Sequence, residues 1–170
     1  MWFSLAHRPP RQPETRLEVY AIKVTLLGTN PPVWRRILVP CDITLRNLHR
    51  TLQTVMGWTN SHLHQFVLPR QKKSHRKHGL NTKIVHESTR LGDLICTAGA
   101  RLWYEYDFGD GWQHELVLEE VLLGDELFQQ ICVAGQRCCP PEDCGGPQGF
   151  TDLLKALQDA DHTDHEDICA

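Results

Sequence analysis

The run Tyr104-Glu105-Tyr106-Asp107-Phe108-Gly109-Asp110-Gly111-Trp112-Gln113-His114 limits the fold more than any other stretch of the chain. Asp110-Gly111 suits the positive φ angles of a two-residue type I′ turn, and the flanks are aromatic and β-favouring, so the run predicts a β-hairpin. Counting outward from that turn pairs Gly109 with Trp112, Asp107 with His114, and Glu105 with Leu116, all on one face. A carboxylate then stands across from an imidazole. A bulged turn would instead slide Asp107 away from His114 and turn one set of side chains over.

The remaining elements follow from periodicity. Leu17 opens a strand with Tyr20, Ile22, Val24 and Leu26 on one face, ended by Gly28-Thr29-Asn30-Pro31-Pro32. A second strand, Val33–Val39, puts Trp34, Arg36 and Leu38 on one face and Val33, Arg35, Ile37 and Val39 on the other. The short connection makes the pair antiparallel. Thr44 is placed as the N-cap of a helix with Leu45, Leu48, Leu52, Val55 and Met56 on its apolar face, stopped at Gly57. A third strand, 62–68, sets His62, His64 and Phe66 on one side. Thr82–His86 predicts a short strand, 88–95 a helical turn, and Arg101–Glu120 the central hairpin. The Gly- and Pro-rich 132–147 predicts an irregular loop, followed by a helix over Phe150–Asp159 with Phe150, Leu153, Leu154 and Leu157 inward. The class is α+β, a largely antiparallel or mixed sheet covered by one main helix. Residues 17–170 are expected to form one domain behind a Pro- and Arg-rich disordered arm at 1–16.

Charge divides sharply along the chain. Residues 1–80 hold thirteen Lys/Arg against three Asp/Glu, and residues 81–170 hold five against eighteen. Either the halves neutralise each other within the fold, or the basic half meets an acidic partner such as nucleic acid. The run at 70–79, with Arg70, Lys72, Lys73, Arg76 and Lys77, is the candidate phosphate contact; a solvated loop is the plainer reading. No apolar run approaches the ~20 residues of a membrane span, and the seven cysteines are odd in number without a secretion signal. A soluble, cytoplasmic protein without disulfides is expected.

Two groups of side chains carry candidate chemistry. Cys132, Cys139 and Cys144, with a histidine as fourth ligand, could hold Zn²⁺ in the 132–147 loop, although the spacing lacks the paired knuckles of strong zinc signatures. Asp107 and His114 could form an acid/base pair, and with His62 and His64 a His/carboxylate metal site suited to hydrolysis. Trp34, Trp58, Trp103, Tyr104, Tyr106 and Trp112 are candidate stacking surfaces for bases, with core or lid packing the plainer reading for most of them.

Four blocks in this order resemble the plasmid pRiA4b ORF-3-like protein family. They are Pro32-Val33-Trp34-Arg35-Arg36; Met56-Gly57-Trp58 leading into His62-Leu63-His64-Gln65-Phe66; the hairpin run 104–114; and Cys139-Pro140-Pro141-Glu142-Asp143-Cys144-Gly145-Gly146-Pro147. The resemblance spans about residues 17–167 and implies an α+β domain of mobile-element origin, without naming an activity. Some members carry a transposon-resolvase label, but no serine-recombinase motif is found here. By the same resemblance, residues 1–16 are an extension and Cys169-Ala170 falls short of a further Trp/Gly-containing segment. The expectation is a non-enzymatic accessory module that binds its ligand on a face shared by the hairpin, the His62/His64 strand and the cysteine loop. Trp34, Arg36, Trp58, Asp107, Asp110, Trp112 and His114 are its binding candidates. A metal-dependent hydrolase acting on nucleic acid, or a nucleic-acid binder using the basic half, are the alternatives.

Overall fold

Strand β1 (Leu17–Leu26) turns back through a short loop into β2 (Val33–Pro40), and helix α1 (Leu45–Met56) follows. The computed structural model describes residues 17–69, 82–125 and 127–159. Then come β3 (His64–Pro69), β4 (Thr82–Val85), a 3₁₀ turn (Leu91–Asp93), β5 (Arg101–Tyr106), β6 (Trp112–Gly124), β7 (Ile131–Gln136) and α2 (Gly146–Gln158). Together they make an α+β fold. Its seven strands form one antiparallel sheet in the order β4-β3-β5-β6-β1-β2-β7.

The limits of α1 arise locally. The Thr44 hydroxyl accepts from the Asn47 amide at 3.4 Å, and Gly57 ends the helix at φ 78°, a left-handed conformation that glycine adopts without steric cost. Leu45, Leu48, Leu52 and Met56 turn one stripe onto Ile22, Val24, Ile37, Val39, Leu102 and Leu116, all buried in a single core. Each such side chain contributes roughly 1.5–3 kcal/mol when fully removed from water. The charge halves interleave, since β1 pairs with β6 and Arg36 meets Glu119 at 2.5 Å. Glu119 is the extra residue where the β1–β6 register shifts at Ala21/Ile22.

Three local expectations are corrected. The hairpin pairs Tyr106 with Trp112 and Tyr104 with His114, leaving 107–111 as its loop. Asp107 takes φ 54°, its Oδ1 accepts from the amides of Gly109 (2.9 Å) and Asp110 (3.3 Å), and the Gly111 amide returns to its carbonyl. This side-chain turn widens the loop, so Asp107 does not face His114. The 132–147 loop begins instead as β7, an exposed strand added to the edge at β2, which places Cys132 on a strand. Helix α2 starts at Gly146, and Ala156 rather than Leu157 is its buried residue in the last turn. The arm 1–16, the basic run with Arg70, Lys72, Lys73, Arg76 and Lys77, and the tail from 160 lie outside the described residues.

Candidate metal centre

Three separated segments meet at the loop end of the central hairpin: 58–63 after α1, the turn 107–111, and 138–145 before α2. Trp58 is the pivot. Its ring stacks on Tyr106 with centroids 4.9 Å apart, and its Nε1 donates to the Pro140 carbonyl at 2.9 Å. Glu142 then ties the layers together, accepting from the Thr59 amide (3.0 Å), the Thr59 hydroxyl and the Tyr106 hydroxyl. Tyr106 Oη in turn accepts from the amides of Ser61 (3.0 Å) and His62 (3.4 Å). Burial, reinforced by Glu142, pushes the Tyr106 phenol up to about 12. Burial works against the charged form of Glu142, but the hydrogen bonds from Thr59 and Tyr106 outweigh it and hold the carboxyl below its ordinary value. On the far side, the Gly145 amide donates to Asp110 Oδ2 at 3.2 Å.

Within this junction His62 Nε2 lies 3.2 Å from Asp143 Oδ1 and 3.7 Å from Asp107 Oδ2. One ligand atom from each of the three falls within 4.8 Å of the others, the one such His/Cys/Asp/Glu group among the described residues. His62 Nε2 is out of contact with water yet has no aligned hydrogen-bond partner. Asp107 is buried, whereas the Asp143 side chain is 76% exposed and forms the mouth. Asp107 (φ 54°) and Asp143 (φ 58°) both sit in the left-handed region, as does Asn60 (φ 61°), which Asp and Asn tolerate better than other side chains. An imidazole and two carboxylates with ligand atoms this close suit a divalent cation of the Mn²⁺, Fe²⁺ or Zn²⁺ type.

A second, interior network backs this junction. His49 and His64 stack face to face at 3.6 Å, and His49 bonds the Tyr104 hydroxyl through Nδ1 (2.8 Å) and Asn60 Oδ1 through Nε2 (2.6 Å). Gln53 Nε2 donates to the same hydroxyl at 3.0 Å while Gln53 Oε1 accepts from the Asn60 amide at 2.9 Å. His49 thereby holds the loop that carries His62. Burial lowers the proton affinity of both stacked imidazoles, and for His64 the neighbouring His49 adds to it. Burial likewise pushes the Tyr104 phenol far above its ordinary value.

The residues singled out in the sequence are distributed unevenly. His62 and Asp107 come together and Asp110 anchors the adjoining strap, while Trp58 and Trp112 are buried beneath. His64 turns instead to His49 and lies 3.2 Å from Glu87, and His114 is enclosed in the core with Nδ1 on the Tyr104 carbonyl at 3.3 Å. Trp34 and Arg36 stand on the face opposite the buried Val33, Ile37 and Val39, where Lys23 and Arg36 flank the Trp34 ring at 5.3 and 5.4 Å. Cys139 accepts from Arg35 Nη2 at 3.0 Å and rests 3.3 Å from Met56 Sδ. Cys132, Cys139 and Cys144 do not gather into a three-ligand group. Asp143, Glu142, Asn60 and His49 escaped the sequence reading. For the first two a signal existed, because they lie in the Cys139–Pro147 block that resembles the family.

Fold and site define a small α+β protein whose antiparallel sheet presents a histidine/carboxylate group at the tip of its central hairpin. The chain belongs to the plasmid pRiA4b ORF-3-like protein family, which matches residues 18–170. It is 37% identical over 155 residues to the uncharacterized protein y4hQ of Sinorhizobium fredii (strain NBRC 101917 / NGR234), covering 86% of this chain and 77% of that one. It also resembles the crystal structure of the protein of unknown function MM3350 from Methanosarcina mazei Go1, with a TM-score of 0.77, 35% identity, and coverage of 91% and 89% of the two chains. Among the described residues no helix is long and apolar enough to cross a membrane.

Proposed function

We propose that this protein is a binding module built around a divalent cation held by His62, Asp107 and Asp143. The supporting observation is the approach of three ligand atoms to within 4.8 Å from three separate segments, with His62 Nε2 buried and lacking an aligned partner. A cation there would satisfy that nitrogen and relieve the repulsion between two close carboxylates. Binding is favoured over hydrolysis because activation of a metal-bound water is assisted by a base beside the ion that can take its proton. The neighbouring carboxylates are engaged: Glu142 by Thr59 and Tyr106, Asp110 by the Gly145 amide. The open positions on the ion would then take a donor group from the ligand rather than a water to be activated.

Calorimetric titration of chelator-stripped protein with Zn²⁺ and Mn²⁺ tests this reading. The expected result is one ion per chain, with affinity reduced more than about tenfold by His62→Ala and by Asp143→Asn. Because Asp143 is exposed, its variant should melt like the wild type. Absence of binding, or wild-type affinity in both variants, overturns the proposal. Loss of binding only in a Cys132/Cys139/Cys144→Ser variant would transfer the ion to the thiols.

A further inference from the structure

A phenol hydroxyl can donate one hydrogen bond and accept two. Tyr106 ends β5 with its ring buried on Trp58, and its hydroxyl fills all three places. It donates to Glu142 and accepts from the amides of Ser61 (3.0 Å) and His62 (3.4 Å). The three segments that carry the cation ligands therefore meet at one oxygen: His62 by its own amide, Asp143 through its neighbour Glu142, and Asp107 because it follows Tyr106 in the chain. We propose, resting on the reading of this junction as a cation site, that Tyr106 is its positioning residue. Its hydroxyl holds the three ligand side chains in register without touching the ion.

The segments differ in how firmly they are tied to one another. The Asp107 amide donates to the Leu63 carbonyl at 2.9 Å, which joins the hairpin loop directly to the His62 segment. Asp143 has an exposed side chain and depends on how 138–145 is held. Of the bonds that hold 138–145, those to Trp58, Thr59 and Asp110 end on residues outside the ligand set. The bond from Tyr106 is the one among them that ends on the oxygen the His62 amide also uses. Glu142 suits this place because the Thr59 amide and the Tyr106 hydroxyl are both donors, and a carboxylate accepts with either oxygen. A glutamine there would turn its NH₂ toward one of them. Ligand groups must keep their places to within about 0.5 Å to hold an ion well, so a loosened link is felt as lost affinity.

Calorimetric titration of the full chain with Zn²⁺ and with Mn²⁺, at a temperature where every variant is folded, tests the proposal. Tyr106→Phe keeps the ring on Trp58 and removes the hydroxyl, and it should weaken binding at least about tenfold. Glu142→Gln should weaken it by a similar factor. The double variant should be about as weak as the weaker single, because both changes act through one bond. Val39→Ala opens the buried core at β2 and serves as the control for stability. It should lower the melting temperature and leave the affinity unchanged. Wild-type affinity in Tyr106→Phe overturns the proposal, as does an equal loss in Val39→Ala. Losses that multiply in the double variant also overturn it, since Glu142 would then act by its charge and not through Tyr106. If the wild type binds neither ion, the cation reading itself falls and this inference with it; binding by the wild type with unchanged variants removes the role of Tyr106 alone.

Discussion

His114 should set the acid limit of this fold. It is fully buried, with the Trp58 ring edge-on at 5.3 Å and Tyr104 at 5.2 Å. Its Nδ1 has the Tyr104 carbonyl, but Nε2 has no partner, so a second proton would bring an unpaired charge into the core. Burial accordingly lowers its pKa from 6.5 to about 4. The unfolded chain therefore binds a proton below about pH 6.5 that the folded chain refuses until about pH 4. Stability is full above the upper value and falls through the window by about 1.4 kcal/mol per pH unit, roughly 3 kcal/mol altogether. His49 and His64 are displaced in the same direction and add to the slope. His114→Leu isolates the contribution of this residue, because whatever it changes in packing does not depend on pH. Urea denaturation followed by tryptophan fluorescence from about pH 4.5 to 7.5 should show the variant losing about one proton's worth of slope. Parallel slopes for variant and wild type would refute the assignment of His114 as the neutral buried group.

Three further outcomes follow from the same packing. Tyr104→Phe removes the partner shared by Gln53 (3.0 Å) and His49 (2.8 Å), leaving two buried polar groups unmet. The expected loss is about 2–4 kcal/mol, seen in calorimetry as a melting temperature lower by roughly 5–15 °C; a loss below about 1 kcal/mol contradicts the network. Gly146→Ala should cost more than about 2 kcal/mol, because φ is 68° and a Cβ would meet the Asp110 carbonyl oxygen. Gly57→Ala, at φ 78° but in open space, should cost only about 1 kcal/mol, and equal denaturation midpoints would show that the close approach is not felt. Trp58→Phe keeps a ring on Tyr106 but deletes the bond to the Pro140 carbonyl, so amides of 138–145 should exchange faster with deuterium. Unchanged protection there would show that Glu142 and Asp110 hold this segment without the Trp58 bond.

Helix α1 was legible from Thr44 to Gly57 because both of its ends are set by side chains and backbone within the same few residues. The first two strands were legible because alternation and a short connection leave one pairing open. The hairpin register was not, since Asp110-Gly111 is a strong two-residue turn signal and Asp107 a competing one three residues earlier. Asp107 prevails by capturing two amides of the loop, an advantage visible only when 107–111 is considered as a unit. Strand β7 was hidden by composition. Ile131, Cys132 and Val133 are exposed on an edge and show no alternation, and what makes them a strand is the β2 backbone beside them.

The candidate site shows the same division between local and distant causes. His62 and Asp107 were candidates because imidazole and carboxylate chemistry can be read from residue type, but their partner depends on how 138–145 closes over the hairpin. That closure is made by Trp58 reaching Pro140 and by Glu142 reaching Thr59 and Tyr106, contacts across thirty-six or more residues. No local pattern encodes them. The cysteines of the same segment drew attention by their chemistry, yet the backbone turns through Asp143, Gly145 and Gly146, all at positive φ, bring a carboxylate to His62 and leave Cys139 beside Arg35 and Met56. The glycines and prolines of the block thus position Asp143, and the site follows from their turn geometry more than from the thiols between them.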